Sequence, residues 1–209
     1  MIADVLLNLL ERPQMKQAWG GNSNVLLMAH VDSVRFDPTK VRREGNRIYC
    51  GGRADDYAGL AIIETLRQGE LSFRWLITDG EESGGWGAQE FITEHEVGEH
   101  EWLDDVELCL GLDRRGRGSN MVEYIPQYAG RTMASPAFCT WLEAQGEPLG
   151  LAIVKGHGTW CDMEIISRSI PDAVNLSVGY YEPHSVKDYI ELDQLTDTLR
   201  LVQYILQKI

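Results

Sequence analysis

Basic residues are scarce in this chain. Nineteen lysines and arginines stand against 32 aspartates and glutamates, for a net charge of −13 at pH 7. That balance argues against nucleic-acid or anionic-membrane partners, which select for a basic patch. Much of the acidic excess lies in residues 93–105, where His95 and His100 read as solvated. Long apolar runs are also missing, and none approaches the roughly 18 residues of a membrane span. The N-terminal MIADVLLNLLERP has neither a basic leader nor a small-residue cleavage site, so no signal peptide is read and a cytoplasmic setting is expected. Cys50, Cys109, Cys139 and Cys161 are far apart, with no C-x-x-C spacing. That pattern argues against a thiolate zinc cluster and reads as reduced, mostly buried thiols. Internal repeats and low-complexity linkers are absent, and 209 residues fit one domain spanning 1–209.

What the chain does have is an alternation of short apolar runs and amphipathic stretches. Ile2, Val5, Leu6, Leu9 and Leu10 recur at helical spacing, with Pro13 as the stop. Residues 14–24 read as a loop. Buried strands are predicted at 25–31, 71–78 and 106–112, and further strands at 120–125, 149–154 and 173–179. A hairpin over 41–50 turns at Glu44-Gly45-Asn46. Helices are predicted at 57–68 and 85–95, and from the Ser135-Pro136 cap to Gly146. The last helix carries Leu192, Leu195, Leu199, Val202, Leu206 and Ile209 on one stripe. The implied fold class is α/β, a three-layer α/β/α sandwich around a mostly parallel, mixed central sheet.

Several residues with metal-binding chemistry fall just after an apolar run or a glycine-rich turn: His30, Asp55, the pair Glu81-Glu82, Asp113 and His184. Taken singly each has a plain structural explanation. A lone histidine is usually a satisfied structural residue, Asp55-Asp56 between glycines a turn, and Glu81-Glu82 a solvated pair at a helix start. Taken together they supply two imidazoles and enough carboxylates for a pair of cations and a base. In an open α/β sheet such residues converge because ligands gather beyond the carboxyl ends of the strands.

The motifs H-x-D (His30–Asp32), G-x-x-D-D-x-x-G (Gly52–Gly59), E-E (Glu81-Glu82), Asp113 after its strand and H-S (His184-Ser185) resemble those of the dinuclear zinc peptidases of families M20, M28 and M42. The resemblance spans residues 25 to about 195. It implies that His30 and Asp113 bind one cation, Glu82 and His184 the other, and that Asp55 bridges them across a cis Asp55–Asp56 peptide. It implies further that Asp32 orients His30 and that Glu81 is the general base. Zinc is the default metal for these donors, and cobalt or manganese fits them too. The substrate is then a peptide or small amide.

Only 70 residues separate Asp113 from His184, which leaves no room for the lid or dimerisation domain of the M20 and M42 enzymes. The architecture is closer to a lidless M28 aminopeptidase, and the oligomeric state stays open. His157 in the GHGTW stretch, Asp162, Tyr124 and Tyr181 are the candidate substrate-side or oxyanion-stabilising residues. The first functional reading is a metal-dependent exopeptidase, an aminopeptidase on short peptides. The alternatives are an amidohydrolase or N-deacylase using the same site, and a non-catalytic binding module on the same scaffold. Retention of the whole donor set and of Glu81 argues against the module.

Overall fold

A computed structural model describes residues 2–12, 15–99 and 101–209; Pro13 and His100 lie outside the described residues. Helix α1 (Ile2–Glu11) turns Ile2, Leu6, Leu9 and Leu10 inward, while Val5 is only half-buried. Within the expected loop lies an edge strand, β1 (Ala18–Gly20). It pairs antiparallel with β5 (Arg74–Thr78), and three residues are too few to show a period of two. Between them run β2 (Val25–His30), the hairpin β3 (Arg42–Glu44) and β4 (Arg47–Tyr49), and α2 (Ala54–Arg67). Next come α3 (Trp86–Glu96), β6 (Leu108–Arg114) and β7 (Met121–Ile125).

A small hairpin, β8 (Gln127–Tyr128) and β9 (Arg131–Thr132), precedes α4 (Pro136–Ala144). The Ser135 hydroxyl caps α4 by accepting the Phe138 N–H at 3.1 Å. The chain closes with β10 (Ala152–Lys155), the short α5 (Met163–Ile166), β11 (Asp172–Ser177), β12 (Tyr180–Tyr181), β13 (Tyr189–Glu191) and α6 (Leu192–Leu206).

The main sheet has strand order β1-β5-β2-β6-β11-β7-β10. It is parallel except at β1–β5 and β11–β7, so the mixed, mostly parallel expectation holds. Strand β2 explains the three layers. Its six residues are all buried. Val25, Leu27 and Ala29 join the core under α1, α2 and α6, whereas Leu26 and Met28 join the core under α3 and α5. Successive side chains point to opposite faces, so a strand covered on both sides must be apolar throughout. A second, antiparallel sheet, β12-β13-β4-β3, was not visible as a unit in the sequence. It packs near the carboxyl end of the main sheet and carries the loop with His184. No helix among the described residues is long and apolar enough to cross a membrane.

Candidate active site

Strands β5, β2 and β6 are neighbours and parallel, so their carboxyl ends open on one edge. His30 closes β2 opposite Thr78, the last residue of β5. Met28 pairs with Gly111, and the same register continued by two residues sets Asp113 beside His30. Their side chains are 3.8 Å apart (Nε2 to Oδ1). After β5 the chain makes one tight turn over Glu81–Ser83. Asp32 holds that turn, its carboxylate accepting the N–H groups of Glu81 (3.0 Å) and Glu82 (3.1 Å). The Asp32 carbonyl lies 3.1 Å and its carboxylate 3.3 Å from His30 Nδ1. Nε2 is thereby left to face Asp55 Oδ1 at 3.1 Å.

Asp55 sits where α2 is broken. Its ψ of 107° is not helical, and the Asp55–Asp56 peptide is cis, as the resemblance implies. The turn before it needs glycine: Gly52 has a φ of +103°, and a Cβ there would fall 2.3 Å from the Arg35 carbonyl oxygen. Two buried carboxylates fix this segment. Asp188 accepts the N–H groups of Gly52 (2.7 Å) and Ala54 (2.6 Å), and Asp56 accepts those of His30 (3.3 Å) and Gly59 (3.0 Å). His184 approaches from the β12–β13 loop with a φ of +61°, a conformation histidine adopts more readily than most residues. Its Nε2 is 3.0 Å from Glu82 Oε2 and 3.8 Å from Asp55 Oδ2.

Two groups of donors result. His30, Asp55 and Asp113 bring ligand atoms within 4.8 Å of one another, as do Asp55, Glu82 and His184, and Asp55 belongs to both. Imidazole nitrogen and carboxylate oxygen are suitable donors for zinc and its neighbours, so the residues fit a pair of divalent cations. The electrostatics fit as well. Burial, and then the Asp55 charge, push the Asp113 carboxyl well above its ordinary range; the same two causes raise Glu82. Burial lifts Glu81 to about 8, with the charges of Asp162, Asp55 and Glu82 adding to it against the pull of His30. Burial alone would depress His30, but its contacts with Asp32 and Asp55 carry it well above its usual value. So many carboxyl groups do not all ionise together without positive charge between them.

The model of peptidase family M28 matches residues 10–155. The chain belongs to that family. Among curated proteins none matches it. Solved structures resemble this M28 chain in fold at low identity. The Pyrococcus horikoshii TET1 peptidase, which can assemble into a tetrahedron or a large octahedral shell, superposes with a TM-score of 0.70 at 13% identity over 98% of this chain and 99% of that one. Aminopeptidase PepT from Bacillus cereus gives 0.64 at 14%, over 99% and 91%. A zinc aminopeptidase from Bacillus subtilis gives 0.64 at 18%, over 92% of this chain and 48% of that one.

In the M28 chain Asp55, Glu82, Asp113 and His184 of the two donor groups line an open cavity of about 580 Å³, which also touches Glu81, His157, Trp160, Tyr180 and three arginines, Arg114, Arg115 and Arg117, while His30 is buried outside it. His157 therefore lies where the GHGTW stretch suggested. Two expected substrate residues lie elsewhere. Tyr124 is fully buried under α4 and donates its hydroxyl to Glu143 at 2.6 Å. Tyr181 points away and donates to Gln194 at 2.8 Å. Its neighbour Tyr180 takes the inward position, its hydroxyl 3.3 Å from Asp113 Oδ1, because adjacent residues of a strand face opposite ways. Asp162 is buried behind Glu81, out of the open cavity and without a hydrogen bond to either oxygen. Burial raises its carboxyl to about 6. His95, read as solvated, is half-buried, 3.7 Å from Asp104. The sequence reading missed Tyr180, Asp188 and the arginine wall. The RRGR run at 114–117 was the one visible mark of the wall.

Proposed function

We propose that residues 1–209 form a single catalytic domain, a metal-dependent aminopeptidase that hydrolyses short peptides. The observation that carries this reading is the pair of donor groups sharing Asp55, with Glu81 beside them in an open cavity. His30 and Asp113 would hold one cation, Glu82 and His184 the other, and Asp55 both. Bound there, divalent cations, zinc by default, supply Lewis-acid polarisation of the scissile carbonyl and make an attacking water more acidic.

The chain's own groups do the rest. Glu81, raised by its surroundings, takes a proton from the attacking water and returns it to the leaving amine. Asp32 fixes the turn that carries both Glu81 and Glu82, and so sets base and ligand in one frame. The Tyr180 hydroxyl and His157, both lining the cavity, are the candidate protein donors to a developing oxyanion. Amino-terminal attack is supported by the aminopeptidases among the structures of similar fold. Four free cysteines, three of them buried, support a reducing, cytoplasmic setting.

Purified protein loaded with zinc or cobalt is expected to release amino acids from di- and tripeptides. Glu81→Gln should lower kcat by roughly 10²–10⁴-fold while metal content stays near that of the wild type. Full activity of Glu81→Gln would overturn the assignment of the base. Activity confined to N-acylated amino acids would replace the aminopeptidase with an N-deacylase.

A further inference from the structure

One wall of the cavity has the opposite sign from its floor. Arg114, Arg115 and Arg117 line it together, in a chain with only 19 basic residues. Their charges are not cancelled locally. The single buried carboxylate of Glu123 serves two of them, accepting from Arg114 Nε at 3.0 Å and Arg117 Nε at 2.9 Å. Arg114 also donates to the His157 carbonyl at 2.9 Å. Arg115 is exposed and makes no ion pair among the described residues.

The wall is built, not draped. Gly116 donates its N–H to the Tyr180 carbonyl at 2.8 Å. A Cβ on Gly116 would fall 2.4 Å from Gln194 Oε1 and 2.7 Å from the Tyr181 ring. Gln194 Oε1 accepts both the Gly118 N–H (3.2 Å) and the Tyr181 hydroxyl (2.8 Å). Tyr181 is thus a support of this turn. Arg115 follows Asp113 by two residues, so their Cα atoms are at most about 7 Å apart. Both residues line the same cavity, so an anion held by Arg115 shares that cavity with the hydrolytic centre.

We propose that the Arg115–Arg117 turn binds a carboxylate of the substrate, which makes di- and tripeptides with a free carboxylate near the scissile bond the preferred class. The inference rests on the peptidase reading above and adds to it a charge requirement at the far end of the substrate. Guanidinium groups suit carboxylates because their planar donors match the two oxygens. An α-carboxylate and an acidic side chain share that chemistry.

The test separates binding from turnover. In zinc-loaded Glu81→Gln protein, calorimetry compares Ala-Ala, its C-terminal amide, and Ala-Glu amide. Ala-Ala is expected to bind roughly tenfold to a hundredfold more tightly than its amide. Adding Arg115→Ala should bring acid and amide to within about twofold of each other, as for a lost charge-assisted contact. Tight binding of Ala-Glu amide, lost in the same way, would support the wall with a side chain as the source of the carboxylate. Equal affinity for acid and amide, no binding of any peptide, or an unchanged preference in Arg115→Ala would overturn the proposal. Wild-type protein assayed on the same peptides keeps the two readings apart. Turnover without a preference for the free acid sinks the wall alone, and a preference in binding without turnover sinks the peptidase.

Discussion

Asp55 is the pivot of the site, with one oxygen toward His30 and the other toward His184. Around it, buried groups are held in protonation states that cations must change. His30 is raised well above its ordinary value by Asp32 and Asp55 against the effect of burial, so the metal-free imidazole holds its proton to a higher pH than a free histidine does. A cation needs the neutral ring, and the proton competes with it. Raising the pH removes that competitor, so affinity should climb with pH until the raised folded-state pKa of His30 is passed. Competition with a chelator at several pH values measures this, and a flat profile would contradict it. At this scale the sequence was most informative where a motif followed a strand end, as at His30, Glu81, Glu82 and Asp113, or a turn, as at Asp55 and His184, all of which the fold brings together. Tyr180 and Tyr181 were not separable, because nothing in a two-residue strand says which side faces in.

Elements decide how accurately those residues are delivered. The segment that presents Asp55 is anchored by Asp188, which is 136 positions away in sequence from Gly52. No local signal marks such a contact, so Asp188 was invisible until the fold was known. Asp188→Asn keeps the shape but turns a donor toward a backbone N–H, since both carboxylate oxygens are engaged by Gly52 and Ala54. The expected cost is about 1–3 kcal/mol of stability together with weaker metal binding, read by denaturant unfolding and by chelator competition. Unchanged values of both would show that the Asp55 turn stands without it. Long periodic elements were legible. The stripe of α6 buries Leu192, Leu195, Leu199 and Val202 as expected, while Leu206 is half-buried and Ile209 exposed, because the helix ends before the stripe does. Short elements were not: β1, the β8–β9 hairpin, α5 and the β12–β13 pair are too brief for periodicity to register.

On the scale of the whole molecule, a sheet covered on both faces leaves its carboxyl edge as the place where strand ends, the small second sheet and the arginine turn meet. Fold class was readable because strands buried on both faces are apolar without a break, while identity to the solved structures of the same fold is only 13–18%. The small sheet was not readable, since its strands, from residues 42 to 191, are brought together only by the closed fold. The proposed chemistry requires that this edge hold two cations on either side of one carboxylate. Anomalous diffraction from a crystal soaked in zinc tests it directly. Two peaks flanking Asp55, one beside His30 and Asp113 and one beside Glu82 and His184, are the expected result; no peak there, or density bound only elsewhere on the surface, would contradict it.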